Sequence, residues 1–212
     1  MSTVAEPLPV AAPVAAPEPA PYTAGDPSIL GLPIFVAGSV ALAFALVGYV
    51  SPAAVGTPVA IILAGTGLGL VISTLWAIAL GQTLVACIFG LFAGFWLSYG
   101  MLVLGLTHNW FAIPPEDVTH TVATFQITWA VVMAALTLAT VRLPVAFTAV
   151  IALVVLALVF LVIGTLSPSE SMTKAGGYVC FVFAALGLYL FLSAGSVAGG
   201  GRGYPLGRPL VR

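Results

Sequence analysis

Apolar residues fill long uninterrupted runs in this chain, and polar positions are confined to short gaps between them. No Asp, Glu, Lys or Arg lies between Asp26 and Glu116, and further charge-free stretches cover 118–141, 143–169 and 175–201. A helix needs about 20 apolar residues to cross a hydrocarbon core. Each later stretch fits one such helix, and the first is long enough for three with short loops. The pattern predicts six helices, near Ile29–Val50, Pro58–Leu80, Leu84–Leu106, Thr119–Val141, Pro144–Leu166 and Met172–Ala194. Ser51-Pro52 is expected to stop the first, and Pro58 occupies a first turn, where its missing N–H costs nothing. Gly81–Thr83 makes a short connection, and "THNWFAIPPEDVTH" is the one sizeable polar loop.

The fold class expected is an all-α integral membrane protein, a six-transmembrane-helix bundle. Residues 25–197 form the membrane domain. Residues 1–24 alternate Ala and Pro, which reads as a disordered or polyproline-II tail, and residues 198–212 are a Gly/Arg-rich tail. The N-terminus has no basic segment before an apolar core, so it is not a secretory signal peptide.

Composition agrees: the chain is 61% hydrophobic and only 5% charged, against about 25% charged in soluble domains. Its net charge of −1 offers no surface for nucleic acid. Six spans place both termini on one side. Arg142, Arg202, Arg208 and Arg212 share that side and only Lys174 lies opposite, so the excess of basic residues puts both termini in the cytoplasm. A multi-pass plasma (inner) membrane protein is expected, with Trp110 and Phe111 at the outer interface.

Candidate chemistry is sparse. The catalytic motifs H-x-x-x-H, C-x-x-C and G-x-S-x-G are absent, as is a phosphate-binding Gly-Lys loop, and the spans lack the ionisable residues that intramembrane catalysis or proton relays use. No enzyme, cofactor or metal site is expected. His108, Glu116, Asp117 and His120 share the polar loop without a diagnostic ligand spacing, so a solvated loop is preferred there. Cys87 and Cys180 fall in apolar runs and read as small buried hydrophobes. Gly65 with Gly69, and Gly90 with Gly94, have the spacing that lets helices approach closely in lipid. "FALVGYVSP" (44–52) echoes "FLVIGTLSP" (160–168), which reads as shared helix-stop chemistry rather than a repeat. Ser98, Tyr99 and Gln126 are candidate polar pore-lining groups. Many intramembrane hydroxyls only bond their own helix, whereas the Gln126 amide needs a partner helix or a water-filled path.

The stretch "DPSILGLPIF" resembles the first-helix signature of the acetate uptake transporter family, the succinate–acetate permeases. That signature is Asn-Pro-Ala-Pro-Leu-Gly-Leu and here reads Asp26-Pro27-Ser28-Ile29-Leu30-Gly31-Leu32. "FGLFAGFWLSYG" (89–100), Trp129 and "GLYLFLSAG…GRGYPLG" are similar to the family's third, fourth and closing helices. The resemblance covers about residues 25–208. It implies a homohexameric ring with a path through each protomer for acetate and small monocarboxylates, and for succinate in some members. Proton coupling and channel-like flow are both open under it. It also implies a neck at Phe35, Phe92 and Val154, with Phe92 standing where the family more often has Tyr. Within the signature, Asp26 is a preferred helix N-cap, Pro27 suits the first helical position, and Gly31 permits close approach to the backbone. Two rivals stay open: a channel for small neutral solutes such as urea or amides, and a non-transporting membrane scaffold.

Overall fold

A computed structural model of the chain describes residues 24–51 and 54–211. The expected N-terminal tail and the helix-stopping role of Pro52 lie outside the described residues. Among those described, six helices are long and apolar enough to span a membrane, and no strand occurs. They are α1 (Ser28–Leu46), α2 (Gly56–Ala79), α3 (Thr83–Thr107), α4 (Val118–Ala139, entered through a 3-10 turn at Pro115–Asp117), α5 (Val145–Leu166) and α6 (Glu170–Ala198). The protein is a six-helix integral membrane bundle.

α1 ends at Leu46, a turn earlier than the apolar run predicts. Gly48 takes a left-handed φ of +82°. That conformation directs the Gly48 N–H to the Ala45 carbonyl at 3.2 Å and the Tyr49 N–H to the Phe44 carbonyl at 3.0 Å, a Schellman stop. The Phe44 and Tyr49 rings pack over it, 5.0 Å between centroids. Gly81 closes α2 in the same manner with φ +69°. The echo of Gly48 at Gly164 is only sequential: Gly164 lies inside α5, where an added Cβ would meet Thr173 Oγ1 at 2.7 Å.

α2 holds a feature the apolar pattern does not announce. Residues Ile61–Gly67 are π-helical, a widened turn that often marks functional sites. It brings Thr66, fully buried, to α1, where its hydroxyl donates to the Ile34 carbonyl at 3.1 Å. Gly38 makes room for it, since a Cβ there would meet Thr66 Oγ1 at 2.5 Å. The Gly65–Gly69 pair does not form one packing face. Gly69 packs on Ile34, while Gly65 faces open space. Gly90 and Gly94 likewise meet different partners, Thr74 and Trp129.

α6 packs between α1 and α5, α4 lies on α5, and α2 joins α1 to α3. α3 meets α1 and α4 only sparsely, so space remains around it along the bundle axis. α6 has 29 residues, roughly 43 Å at 1.5 Å per residue, and runs a turn beyond its predicted end. The segment after it folds back. Tyr189 Oη donates to the Pro205 carbonyl at 2.9 Å, and Ser193 Oγ accepts from the Tyr204 N–H at 2.8 Å. The Leu206 carbonyl accepts from the Ala146 N–H at 3.1 Å. Leu206 rests against the core, so the Gly/Arg-rich tail is a strap across the start of α5.

Candidate functional site

α1, α3 and α5 run in the same direction, and their inward faces converge on the axis. Phe35 of α1 and Phe92 of α3 meet edge to face, 4.8 Å between centroids and 61° between planes, the geometry ring quadrupoles favour. Phe183 of α6 stands 5.8 Å from Phe35 on another side. Val154 of α5 lines the same central cavity as these three rings. All four side chains are buried. The three neck positions implied by the first-helix resemblance are therefore together, and Phe183 joins them. No polar marker singles out Phe183 in "FVFAALG", because in lipid the outward and the axial faces of a helix are equally apolar.

Three cavities follow one another along this axis, and the residue numbers lining them rise together on α1, α3 and α5. Nearest the start of α1 is a cavity of about 40 Å³ between Leu32, Phe35, Phe89, Phe92, Ile151 and Leu190. Next comes a central cavity of about 20 Å³, sharing Phe35 and Phe92 with the first and adding Leu42, Trp96, Leu158 and Cys180. Beyond Phe95 and Leu158 a vestibule opens to about 240 Å³, bounded by Leu46, Tyr99, Phe125 and Gln126. A water needs about 10–15 Å³ of such space. The two cavities beside Phe35–Phe92 have space for one water or a few, so the axis is narrowest at the rings. Their lining carries no charge, and a carboxylate entering it would lose its hydration without a counter-charge.

The polar candidates divide. Ser98 does not line these cavities; its hydroxyl donates to the Gly94 carbonyl at 2.6 Å and the Phe95 carbonyl at 3.0 Å, so its own helix uses it up. Tyr99 and Gln126 both face the vestibule. Gln126 Oε1 is buried and has no hydrogen-bond partner, an arrangement that costs about 1–3 kcal/mol.

At the start of α1, Asp26 is exposed and its Oδ1 accepts from the Ser28 N–H at 2.9 Å. Pro27 behind it is fully buried, with helical torsions of −57° and −22°. Leu30 lies partly buried in the first turn, and Leu32 reaches the first cavity. Gly31 is covered by the Phe89 ring, which occupies the place of a Cβ.

Of the two cysteines, Cys180 is buried and lines the central cavity, whereas Cys87 is exposed, not buried as its apolar surroundings suggest. In a membrane bundle an outward face of a helix is as apolar as an inward one, so apolar neighbours in sequence do not mark Cys87 as interior. Among the described residues no three His, Cys, Asp or Glu side chains converge as metal ligands. His108 instead stacks on Trp110 at 5.7 Å.

Comparison with known proteins decides the lineage. Residues 11–198 match the GPR1/FUN34/yaaH family. The chain belongs to that family. It is the acetate transporter family whose signature the start of α1 resembles. The fold is similar to that of the bacterial acetate channel SatP, with a TM-score of 0.76 at 19% identity over 85% of this chain and 97% of that one. No curated protein matches in sequence. As a GPR1/FUN34/yaaH protein, the chain places an aromatic pinch and a string of cavities inside a single protomer.

Proposed function

We propose that this GPR1/FUN34/yaaH protein is a membrane channel or transporter for acetate and other small monocarboxylates, with succinate as a larger candidate, and that the solute moves along the axis of each protomer. The observation that carries the reading is the line of cavities pinched by Phe35 and Phe92, within a fold similar to that of a bacterial acetate channel. The pinch has Val154 as its third wall. Because no cation lines the path, the solute crosses the rings as the uncharged acid, or with a proton moving alongside it. Proteoliposomes loaded with the purified protein test this. Uptake of labelled acetate is expected to rise as pH falls, and failure to pass acetate at any pH overturns the assignment.

A second reading is a channel for small neutral solutes, favoured by the same uncharged lining. Competition by urea or acetamide against acetate flux separates the two. The chain is read as a transport protein and not an enzyme.

The surroundings follow from the exposed faces. Leu68, Ile72, Leu75 and Ile78 form an exposed apolar stripe on α2, and Ile127, Val131 and Leu138 form another on α4. Lipid or neighbouring protomers cover such faces, which is consistent with the hexameric ring that the family resemblance implies. The arginines at the strap and the α4–α5 turn, against Lys174 alone on the other side, support a reading with both termini cytoplasmic and the chain in the plasma (inner) membrane.

A further inference from the structure

We infer that an anionic phospholipid docks on the outer face of α4 and α5, with its phosphate at Arg142 and Arg208 and an acyl chain in the groove beyond them. The inference rests on the chain spanning a membrane and not on the transport reading.

The groove lies between α4 and α5 and holds about 360 Å³. Its walls are apolar, with Ile127, Val131, Ala134, Val155, Val159 and Ile163 among them. Ile127, Val131, Val159 and Ile163 are exposed, so it opens outward. It shares no residue with the cavities along the axis. An exposed apolar surface of this kind marks contact with a membrane or a partner.

Two arginines stand at one end of it. Leu138 is exposed and continues the Val131 face seven positions on (138 − 131), about two helical turns. Arg142 follows in the turn after α4. The C-terminal strap brings the second arginine. The Val141 carbonyl accepts from the Leu210 N–H at 3.0 Å and the Val211 N–H at 3.2 Å, so Arg208 is tethered beside the turn that carries Arg142. Gly207, at a left-handed φ of +80°, lies against Val145 and fixes the strap there. Both arginines are exposed. Among the described residues neither pairs with a carboxylate; the ion pair found joins Lys174 to Glu170 at the opposite end of the bundle.

The depth fits one leaflet. Ala134 is eight positions from Arg142 (142 − 134), roughly 12 Å at helical rise, and Ile127 is fifteen (142 − 127), roughly 22 Å. Half a bilayer with its headgroups is about 20–22 Å thick. A phosphate at the arginines therefore puts the lower part of its acyl chain in the groove. Guanidinium matches phosphate geometry, and basic residues just outside a membrane helix draw anionic lipid. A second copy of the chain is the poorer occupant. Among the described residues, it brings to this end Arg142, Arg202 and Arg208 against Asp26 alone.

Full-length protein drawn from vesicles of equal phosphatidylglycerol and phosphatidylcholine tests this. Native mass spectrometry identifies the lipid that stays bound in detergent. Wild type is expected to keep phosphatidylglycerol preferentially. Arg142→Gln/Arg208→Gln is expected to cut that preference by up to about thirtyfold, roughly fivefold per arginine. Arg202→Gln removes the same charge from this end, but the Arg202 carbonyl is tied to Ser196 on α6, and the preference should survive. Ala134→Trp fills the groove and is expected to release the lipid. Thermal unfolding in phosphatidylcholine checks that each variant folds. No preference in wild type overturns the inference, as does an equal loss in Arg202→Gln, which marks diffuse charge. Displacement by inorganic phosphate alone also overturns it, since a lipid anchored by its chain resists a free anion. So does retained lipid in Ala134→Trp, and a neighbouring subunit is then the occupant if the oligomer also falls apart.

Discussion

Phe35 and Phe92 touch edge to face, with centroids 4.8 Å apart, although 57 positions separate them in the chain (92 − 35). Neither ring is held by a hydrogen bond. They meet because α1 and α3 run parallel on either side of the axis and leave space that only side chains can fill. Phe92→Ala is expected to merge the two small cavities, raise acetate flux and weaken discrimination against larger acids. It should also cost about 3 kcal/mol of stability as a large-to-small change. Flux and thermal unfolding measured on the same preparation check both parts. Val154→Phe, which overfills the third wall, is expected to abolish flux while the protein stays folded.

Gly31 has the Phe89 ring lying where its Cβ would be, and Phe89 also lines the first cavity. Gly31→Ala is expected to push that ring toward the path and reduce flux severalfold, with a stability loss of about 1–3 kcal/mol from overpacking. The double variant Gly31→Ala/Phe89→Leu should recover flux. A double variant no better than the single one would show that the glycine serves helix packing alone.

Asp26 caps α1 through the Ser28 N–H and puts a negative charge at the helix start, where the dipole otherwise attracts anions. Asn is an equally good cap. Asp26→Asn is therefore expected to leave stability within a few tenths of a kcal/mol and to tighten carboxylate binding at neutral pH. Unchanged binding would show that the charge lies off the path.

Thr66 bonds across the widened turn of α2 to the Ile34 carbonyl. Thr66→Val keeps the shape and removes the bond, at an expected cost of about 1 kcal/mol. Gly38→Ala, which drives a methyl into the same hydroxyl, should cost more. Thermal unfolding of the two variants ranks them, and the reverse order would mean that the turn relaxes.

Deleting residues 203–212 removes the strap contacts to Ser193, Tyr189 and Ala146. The expected result is a lower unfolding temperature, reflecting a loss of about 1–3 kcal/mol from the bonds and the Leu206 packing. Tyr189→Phe, which removes one of these bonds, should reproduce a minor part of it.

Much of this protein was legible one residue at a time. Six apolar runs each had to become a helix, because lipid leaves backbone groups no partner outside their own segment. The signature from Asp26 to Leu32 marked the family, and the family resemblance implied a neck at Phe35, Phe92 and Val154, whose side chains line one cavity in the structure. The tertiary structure decided what lies between the helices. Hydrophobic patterning distinguishes water from oil, and inside a bilayer both faces of a helix meet oil. Which face of α6 brings Phe183 to the axis, why Ser98 turns to its own backbone while Gln126 lies in a cavity wall, and where α2 widens to seat Thr66 all depend on packing between helices. The apolar pattern is nearly uniform around each helix and does not encode those contacts.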